Sequence, residues 1–448
     1  MRSKAPTAGK VEGSTGMAMH ASDVKVSPVP TNGQGDELCW PGADGPVPAP
    51  VDGYLRAVSG GPANGPGTRD EHVMKPIQMV DLVGQYAKIK SEVDQAILGV
   101  VQSAAFINGP EVRSFEQELA AYLHVQHAIG CANGTDALQV AMMALDLKPG
   151  DEVITPSFTF VATVEVVALL GLKPVFAEVL PGTYNIDPAD VRRKITSRTK
   201  AIVPVHLFGQ TADMAPIMDM AREHGLYVIE DNCQAVGSDY TFPDGTVRRA
   251  GTIGTVGTTS FFPSKNLGCY GDGGAIFTND DALAKRIRQV CNHGSEVRYY
   301  HDVVGVNSRL DSMQAAVLRI KLRQLDAYGA ARQAAAAVYD KAFAGMEHVH
   351  VPERSLNSTH VFHQYTLRIT GGHRDALRAH LEKNGVPAMI YYPVPLHLQK
   401  AYEGYGIRRG DLPITERLME EVLSLPMSTE LDNEQLTHIT ATVKAFFN

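Results

Sequence analysis

The chain has 448 residues, 44% of them hydrophobic and 20% charged, with a formal net charge of −8 and a pI near 6.1. That apolar content suffices for a large buried core, while the mild acidity and the lack of any dense basic stripe argue against a nucleic-acid partner. No apolar run approaches the roughly 18 residues of a membrane span, and Cys39, Cys131, Cys233, Cys269 and Cys291 are too widely spaced for a disulfide framework or a zinc site, so no metal is expected and a reducing, cytoplasmic setting fits.

Residues 1–73 hold 12 Gly and 9 Pro and no apolar periodicity; this composition predicts a disordered N-terminal extension. From Ile77 the pattern becomes globular. Leu82, Tyr86, Ile89, Val93, Ile97, Val100 and Ala104 recur at spacings of three and four, an amphipathic helix. Asn108-Gly109-Pro110 breaks it, and a second helix carries Val112, Phe115, Leu119 and Tyr122.

Short apolar runs then alternate with helical stretches. Strands are expected at 127–131, 152–154, 174–176, 201–205 and 226–230, with helices at about 135–145, 161–170, after Asp187-Pro188, and at 214–224. This alternation predicts an α/β fold with a mainly parallel sheet and helices on both faces. The stretch Ala275-Ile276-Phe277-Thr278 reads as a further buried strand. Beyond Leu310 come two long helices over 311–346, a strand from Val361 to Ile369, a helix near 374–384 and a last helix near 433–447. The expected organisation is a large domain over 74–315 and a smaller C-terminal α+β domain over 316–448.

Ligands of open α/β sheets sit at the carboxyl ends of the strands, and several distinctive residues fall there. Asn133-Gly134-Thr135 opens a helix, as either a capped turn or an anion site made of free N–H groups. Asp231 ends a strand, as either a helix cap or a carboxylate that needs a cationic partner. Phe160 is either plain core or a flat wall for a ring. Lys265 follows Ser260 in a glycine-dense turn between two strands. Such a lysine cannot swing freely, which suits an amine that must meet a carbonyl and form a Schiff base, although most lysines are solvated surface charges. Together these parts are what pyridoxal phosphate demands: a phosphate cradle, a carboxylate for its pyridine nitrogen and a lysine for its aldehyde.

The segments Cys131-Ala132-Asn133-Gly134-Thr135-Asp136-Ala137-Leu138, Ile229-Glu230-Asp231-Asn232-Cys233-Gln234-Ala235, Ser264-Lys265-Asn266-Leu267-Gly268 and Gly305-Val306-Asn307-Ser308-Arg309-Leu310-Asp311 resemble the DegT/DnrJ/EryC/StrS family of sugar aminotransferases. The similarity runs from about Ile77 to Phe447. Within the family it is greatest to the enzymes that aminate UDP-2-acetamido-2-deoxy-3-oxo-glucuronate.

The resemblance implies the fold type I of pyridoxal phosphate enzymes, with a seven-stranded sheet in the large domain. It implies that Lys265 bonds the cofactor aldehyde and that Asp231 pairs with the pyridine nitrogen. Gln234 would lie near the ring hydroxyl, Gly134, Thr135 and Ser260 would bind the phosphate, and Phe160 would stack on the ring. It further implies a homodimer with shared active sites, in which Asn307 reaches the partner's cofactor phosphate and Arg309 meets a sugar carboxylate or diphosphate. Arg309 could instead form a structural ion pair with Asp311 or a neighbour. Tyr391, Tyr392 and His397 belong to an element that faces the nucleotide sugar, and Tyr391 stands where the most similar subfamily often has a histidine. The implied reaction moves an amino group from glutamate to a nucleotide-linked keto sugar for surface polysaccharide. Rival readings are an enzyme for a GDP- or dTDP-linked 4-keto-6-deoxysugar, a dehydratase, against which Lys265 argues, and a non-catalytic cofactor-binding regulator.

Overall fold

A computed structural model describes residues 74–448; the expectation for residues 1–73 lies outside them. Helix α1 (Leu82–Ser103) starts where the Asp81 carboxylate accepts the Gly84 amide at 2.8 Å, and it buries Ile89, Val93 and Val100. Pro110 opens α2 (Pro110–Leu123), a position where the missing N–H costs nothing. The alternating region follows as β1 (His127–Cys131), α3 (Gly134–Ala144), β2 (Glu152–Pro156), α4 (Ala162–Leu169), β3 (Lys173–Ala177), α5 (Pro188–Lys194), β4 (Thr199–Ile202), α6 (Met214–His224) and β5 (Tyr227–Asp231). A small hairpin, β6 (Asp239–Thr241) and β7 (Val247–Arg249), precedes β8 (Val256–Ser260), β9 (Gly274–Thr278) and α7 (Asp281–Cys291).

The seven strands order as β1-β9-β8-β5-β4-β2-β3. Pairs β5–β8, β4–β5, β2–β4 and β2–β3 are parallel, and β9 alone runs against both of its neighbours. Period-two alternation divides each strand between two cores. Val153 and Ile229 face the side covered by α3, α4 and α7, whereas Ile154 and Val228 face the side covered by α5 and α6. Continuous apolar runs such as Ala275–Phe277 are therefore buried on both faces. The strand expected at 201–205 is shorter than its apolar run, and Pro204, which has no N–H to give a ladder, follows its end.

The remaining elements are α8 (Ser312–Leu322), α9 (Leu325–Phe343), β10 (Val349–His350), β11 (Tyr365–Ile369), α10 (Arg374–Lys383), α11 (Pro413–Glu421), β12 (Val422–Leu425) and α12 (Asn433–Phe447). An antiparallel sheet β10-β11-β12 packs its apolar side against α9, α10 and α12. The strand expected from Val361 begins only at Tyr365, because Phe362 takes a positive φ of 48° that no ladder accommodates. No helix among the described residues is long and apolar enough to cross a membrane.

Candidate active site

The strand order brings three motifs to one end of the sheet. The ends of β1, β5 and β8 and the beginning of β9 lie side by side, through the pairs Cys131↔Gly274, Ser260↔Gly274 and Asp231↔Thr258. Helix α3 starts there, with the Asn133 side chain accepting the Asp136 amide at 2.8 Å. Contact is so close that a Cβ on Gly134 would lie 2.7 Å from the Ser260 Cβ and 3.2 Å from the Cys233 sulfur. Gly134 and Thr135 thus open α3 with Ser260 packed against Gly134, and the free N–H groups of a helix N-terminus suit a phosphate.

Asp231 is 5% exposed. Its Oδ2 accepts the Thr163 hydroxyl at 2.8 Å and its Oδ1 the Cys233 amide at 3.2 Å. Among the described residues it has no ion pair with a Lys, Arg or His. A carboxylate so enclosed is stabilised by a cationic or strongly donating partner. The strand that carries it is fixed from behind: the adjacent Glu230 is buried and accepts the Gly251, Ile253 and Gly254 amides and pairs with His206 at 2.8 Å. His206 in turn donates its own amide to the Asp231 carbonyl at 3.0 Å.

Lys265 lies in the turn beyond β8. The turn is held by Lys265 N to Phe262 O at 2.8 Å, Cys269 N to Phe261 O at 2.8 Å, and the Asn266 amide group to Val361 O at 2.9 Å. Burial pushes the Lys265 amine below its ordinary value, and the Cys233 and Asp231 side chains partly oppose this. An amine so placed gives up its proton more readily than a surface lysine, as a nucleophile or base requires.

Phe160 is 54% exposed and is not core. Its ring lies 6.5 Å from that of Tyr392, whose hydroxyl accepts the Gln234 amide group at 3.2 Å. The Gln234 carbonyl is taken by the Phe208 amide at 2.8 Å. Tyr391 is half-buried beside Tyr392. His397 is 1% exposed, with Nδ1 on the Ser157 hydroxyl at 2.6 Å and Nε2 on Glu416 at 3.2 Å. These contacts fasten the 391–397 segment to the end of β2 and to α11. Asn307 is exposed and Arg309 half-buried on the connection between α7 and α8. Among the described residues Arg309 makes no ion pair; Asp311, the expected structural partner, stands at the N-cap of α8. Sequence reasoning missed Thr163, because a threonine inside a helix carries no signal of the carboxylate it will meet.

Residues 87–444 match the DegT/DnrJ/EryC1/StrS aminotransferase family. The chain belongs to that family. It is 46% identical over 365 residues to the UDP-2-acetamido-2-deoxy-3-oxo-D-glucuronate aminotransferase of Pseudomonas aeruginosa, covering 82% of this chain and 99% of that one. It is also 46% identical over 373 residues to the pleiotropic regulatory protein of Geobacillus stearothermophilus, covering 83% and 98%. The crystal structure of S. venezuelae DesV in complex with a ketimine intermediate superposes with a TM-score of 0.80 at 42% identity, over 83% of this chain and 99% of that one. Other relatives are named for dTDP- and GDP-linked sugars. The protein is thus a sugar aminotransferase of this family, and the family's cofactor is pyridoxal phosphate. The residues present fit that group: the Gly134 cradle suits its phosphate, the unpaired Asp231 its ring nitrogen, and Lys265 its aldehyde.

Proposed function

We propose that this aminotransferase moves an amino group from glutamate to the keto carbon of a nucleotide-linked sugar, with UDP-2-acetamido-2-deoxy-3-oxo-D-glucuronate as the leading substrate, in cytoplasmic synthesis of a surface polysaccharide. One observation carries the chemistry: the pair Asp231↔Thr258 sets the enclosed Asp231 carboxylate, which has no ion pair among the described residues, beside the strand that leads into the turn of the buried Lys265. Pyridoxal phosphate supplies an electron-withdrawing ring and an aldehyde when bound. With the cofactor bound, Asp231 would keep its ring nitrogen protonated, Gly134, Thr135 and Ser260 would hold its phosphate, and Gln234 and Phe160 would help to hold its ring. The freed Lys265 amine takes the proton from the α-carbon of glutamate and returns one to the sugar carbon. The choice of sugar rests on the similarity to the Pseudomonas enzyme and on Arg309, whose planar fork suits a carboxylate or diphosphate. Tyr391 and Tyr392 stand ready for the nucleotide sugar. Because a histidine often stands at position 391 in that subfamily, a GDP- or dTDP-linked 4-keto-6-deoxysugar is the second reading.

Incubating the protein with glutamate and a panel of UDP-, dTDP- and GDP-linked keto sugars, with mass detection, is expected to convert the 3-oxo-glucuronate derivative fastest. Conversion of a 4-keto-6-deoxysugar alone would replace the leading substrate with the second reading.

The proposed enzyme is a homodimer with shared sites. The connection carrying Asn307 and Arg309 leaves Val297, Tyr299, Tyr300 and Val304 exposed, and bridges Ile107 to Asp311 beside the exposed Phe106. Exposed aromatic and aliphatic residues grouped with Arg298 are typical of interface anchors. In the dimer Asn307 contacts the partner's cofactor phosphate and Arg309 its substrate. Mixing inactive Lys265→Ala with inactive Arg309→Ala is then expected to restore activity, up to about a quarter of wild type for random exchange in which half the dimers carry one intact site of two. No recovery, with exchange confirmed by mass, would place Arg309 in the site of its own chain.

A further inference from the structure

The backbone of Asp231 is fixed on both sides. Its N–H donates to Pro204 O at 2.9 Å, and its carbonyl accepts the His206 amide at 3.0 Å. What such a backbone leaves open is rotation of the carboxylate about its last bond, a broad and roughly two-fold torsion in aspartate. Two donors bear on that rotation, one at each oxygen. The Cys233 amide at 3.2 Å is local, two residues further along the same turn. The Thr163 hydroxyl at 2.8 Å comes instead from α4, 68 residues earlier in the chain.

The place of Thr163 in its helix explains why this hydroxyl is available. A threonine inside a helix ordinarily bonds back to the carbonyl three or four residues before it. Thr163 is the second residue of α4, so Thr159 and Phe160, which hold those places, lie outside the helix. Thr163 is 0% exposed, so bulk water does not compete for the hydroxyl. Branching at Cβ restricts its rotamers, and the direction of the hydroxyl therefore follows from the backbone of α4. Phe160, the expected ring wall, stands three residues before it. The start of α4 would thus serve both the face and the nitrogen edge of one planar group.

We propose that Thr163 is a positioning residue for Asp231, its hydroxyl fixing the plane of the carboxylate so that the lone pairs left over point at the ring nitrogen of the cofactor. An ionised carboxylate has about four acceptor sites and no donor, so the hydroxyl must be the donor, and both oxygens keep capacity for a further partner. A charge that stabilises a transition state acts best when it is aimed beforehand. Without the hydroxyl the carboxylate keeps the local Cys233 amide and can turn about it. The proposal rests on the reading of Asp231 as the partner of the ring nitrogen.

The test uses the full chain loaded with pyridoxal phosphate that carries 15N in its ring. Thr163→Val keeps the shape of the side chain and removes the hydroxyl, whereas Thr163→Ser keeps the hydroxyl. The ring 15N signal is expected to move in Thr163→Val part of the way to its position in Asp231→Asn, and to return to the wild-type position in Thr163→Ser. Single-turnover amine transfer from glutamate is expected to fall about tenfold in Thr163→Val, as for one lost hydrogen bond to a charged group. Placed on top of Asp231→Asn, the same substitution should cost less than about threefold more, because the charge it aims is already gone. A ring signal that stays in place in Thr163→Val, or an equal loss of rate in both backgrounds, overturns the proposal. Asp231→Asn separates the two readings. An unmoved ring signal there removes the role of Asp231 and that of Thr163 with it, whereas a signal moved in Asp231→Asn and unmoved in Thr163→Val removes only that of Thr163. If Thr163→Val does not fold, Thr163→Ala is compared with Thr163→Ser, since both lack the methyl group. The serine variant must then keep the wild-type signal and the alanine variant must not; identical signals overturn the proposal.

Discussion

Lys265→Ala is expected to abolish amino transfer while leaving cofactor uptake intact. The residue does two tasks in the proposed reaction, holding the aldehyde and moving the proton, and loss of a positioned acid–base group alone costs about 10²–10⁴-fold in rate. No neighbour can replace it. Cys233 is one ionisable neighbour, and burial and then the Asp231 charge push its thiol well above its ordinary value, so it is no base at neutral pH. The proposed phosphate contacts should survive the substitution, because Gly134, Thr135 and Ser260 belong to α3 and β8 and not to the lysine turn. The variant should therefore bind pyridoxal phosphate without the absorbance of the lysine-bonded form and give no product by mass. Near-normal amination by this variant would refute the assignment of Lys265.

Asp231→Asn should come next in size. The amide keeps the shape of the carboxylate and can still accept from the Thr163 hydroxyl or the Cys233 amide. It removes the negative charge that favours a protonated ring nitrogen, and it presents N–H groups where an acceptor is needed. One preorganised electrostatic partner in an enclosed site is worth about 3–4 kcal/mol of transition-state stabilisation, or 10²–10³-fold in rate. The comparison to make is single-turnover amine transfer from glutamate in wild type and variant at equal cofactor occupancy. A loss under tenfold would reduce Asp231 to a residue that merely fastens Cys233 and Thr163.

Legibility in the sequence followed physical simplicity. The strands of the large sheet were readable because burial on both faces demands unbroken apolar runs, as in Val228–Ile229 and Ala275–Phe277. The short strand β12 was missed, since four residues following directly on α11 give no period of their own. Lys265, Asp231 and Gly134 were visible because each lies at a strand end or in a glycine turn, where ordinary packing does not require that residue type. The burial of His397 was not legible, because the Ser157 and Glu416 partners that enclose it are 240 and 19 residues away. Thr163 was silent for the same reason: contacts formed by folding leave no local pattern.

The cluster around Glu230 bears on how such enzymes diversify. Asp231 inherits its place from a carboxylate tied to three backbone amides and His206 behind it, so a random substitution there would move the acid and kill the reaction. Tyr391, Arg309 and the exposed loop 297–304 belong to connections between elements. If the proposed sugar contacts lie on these connections, one sugar could be exchanged for another there while β5 and its carboxylates stay in place, as relatives named for UDP-, dTDP- and GDP-linked sugars would require.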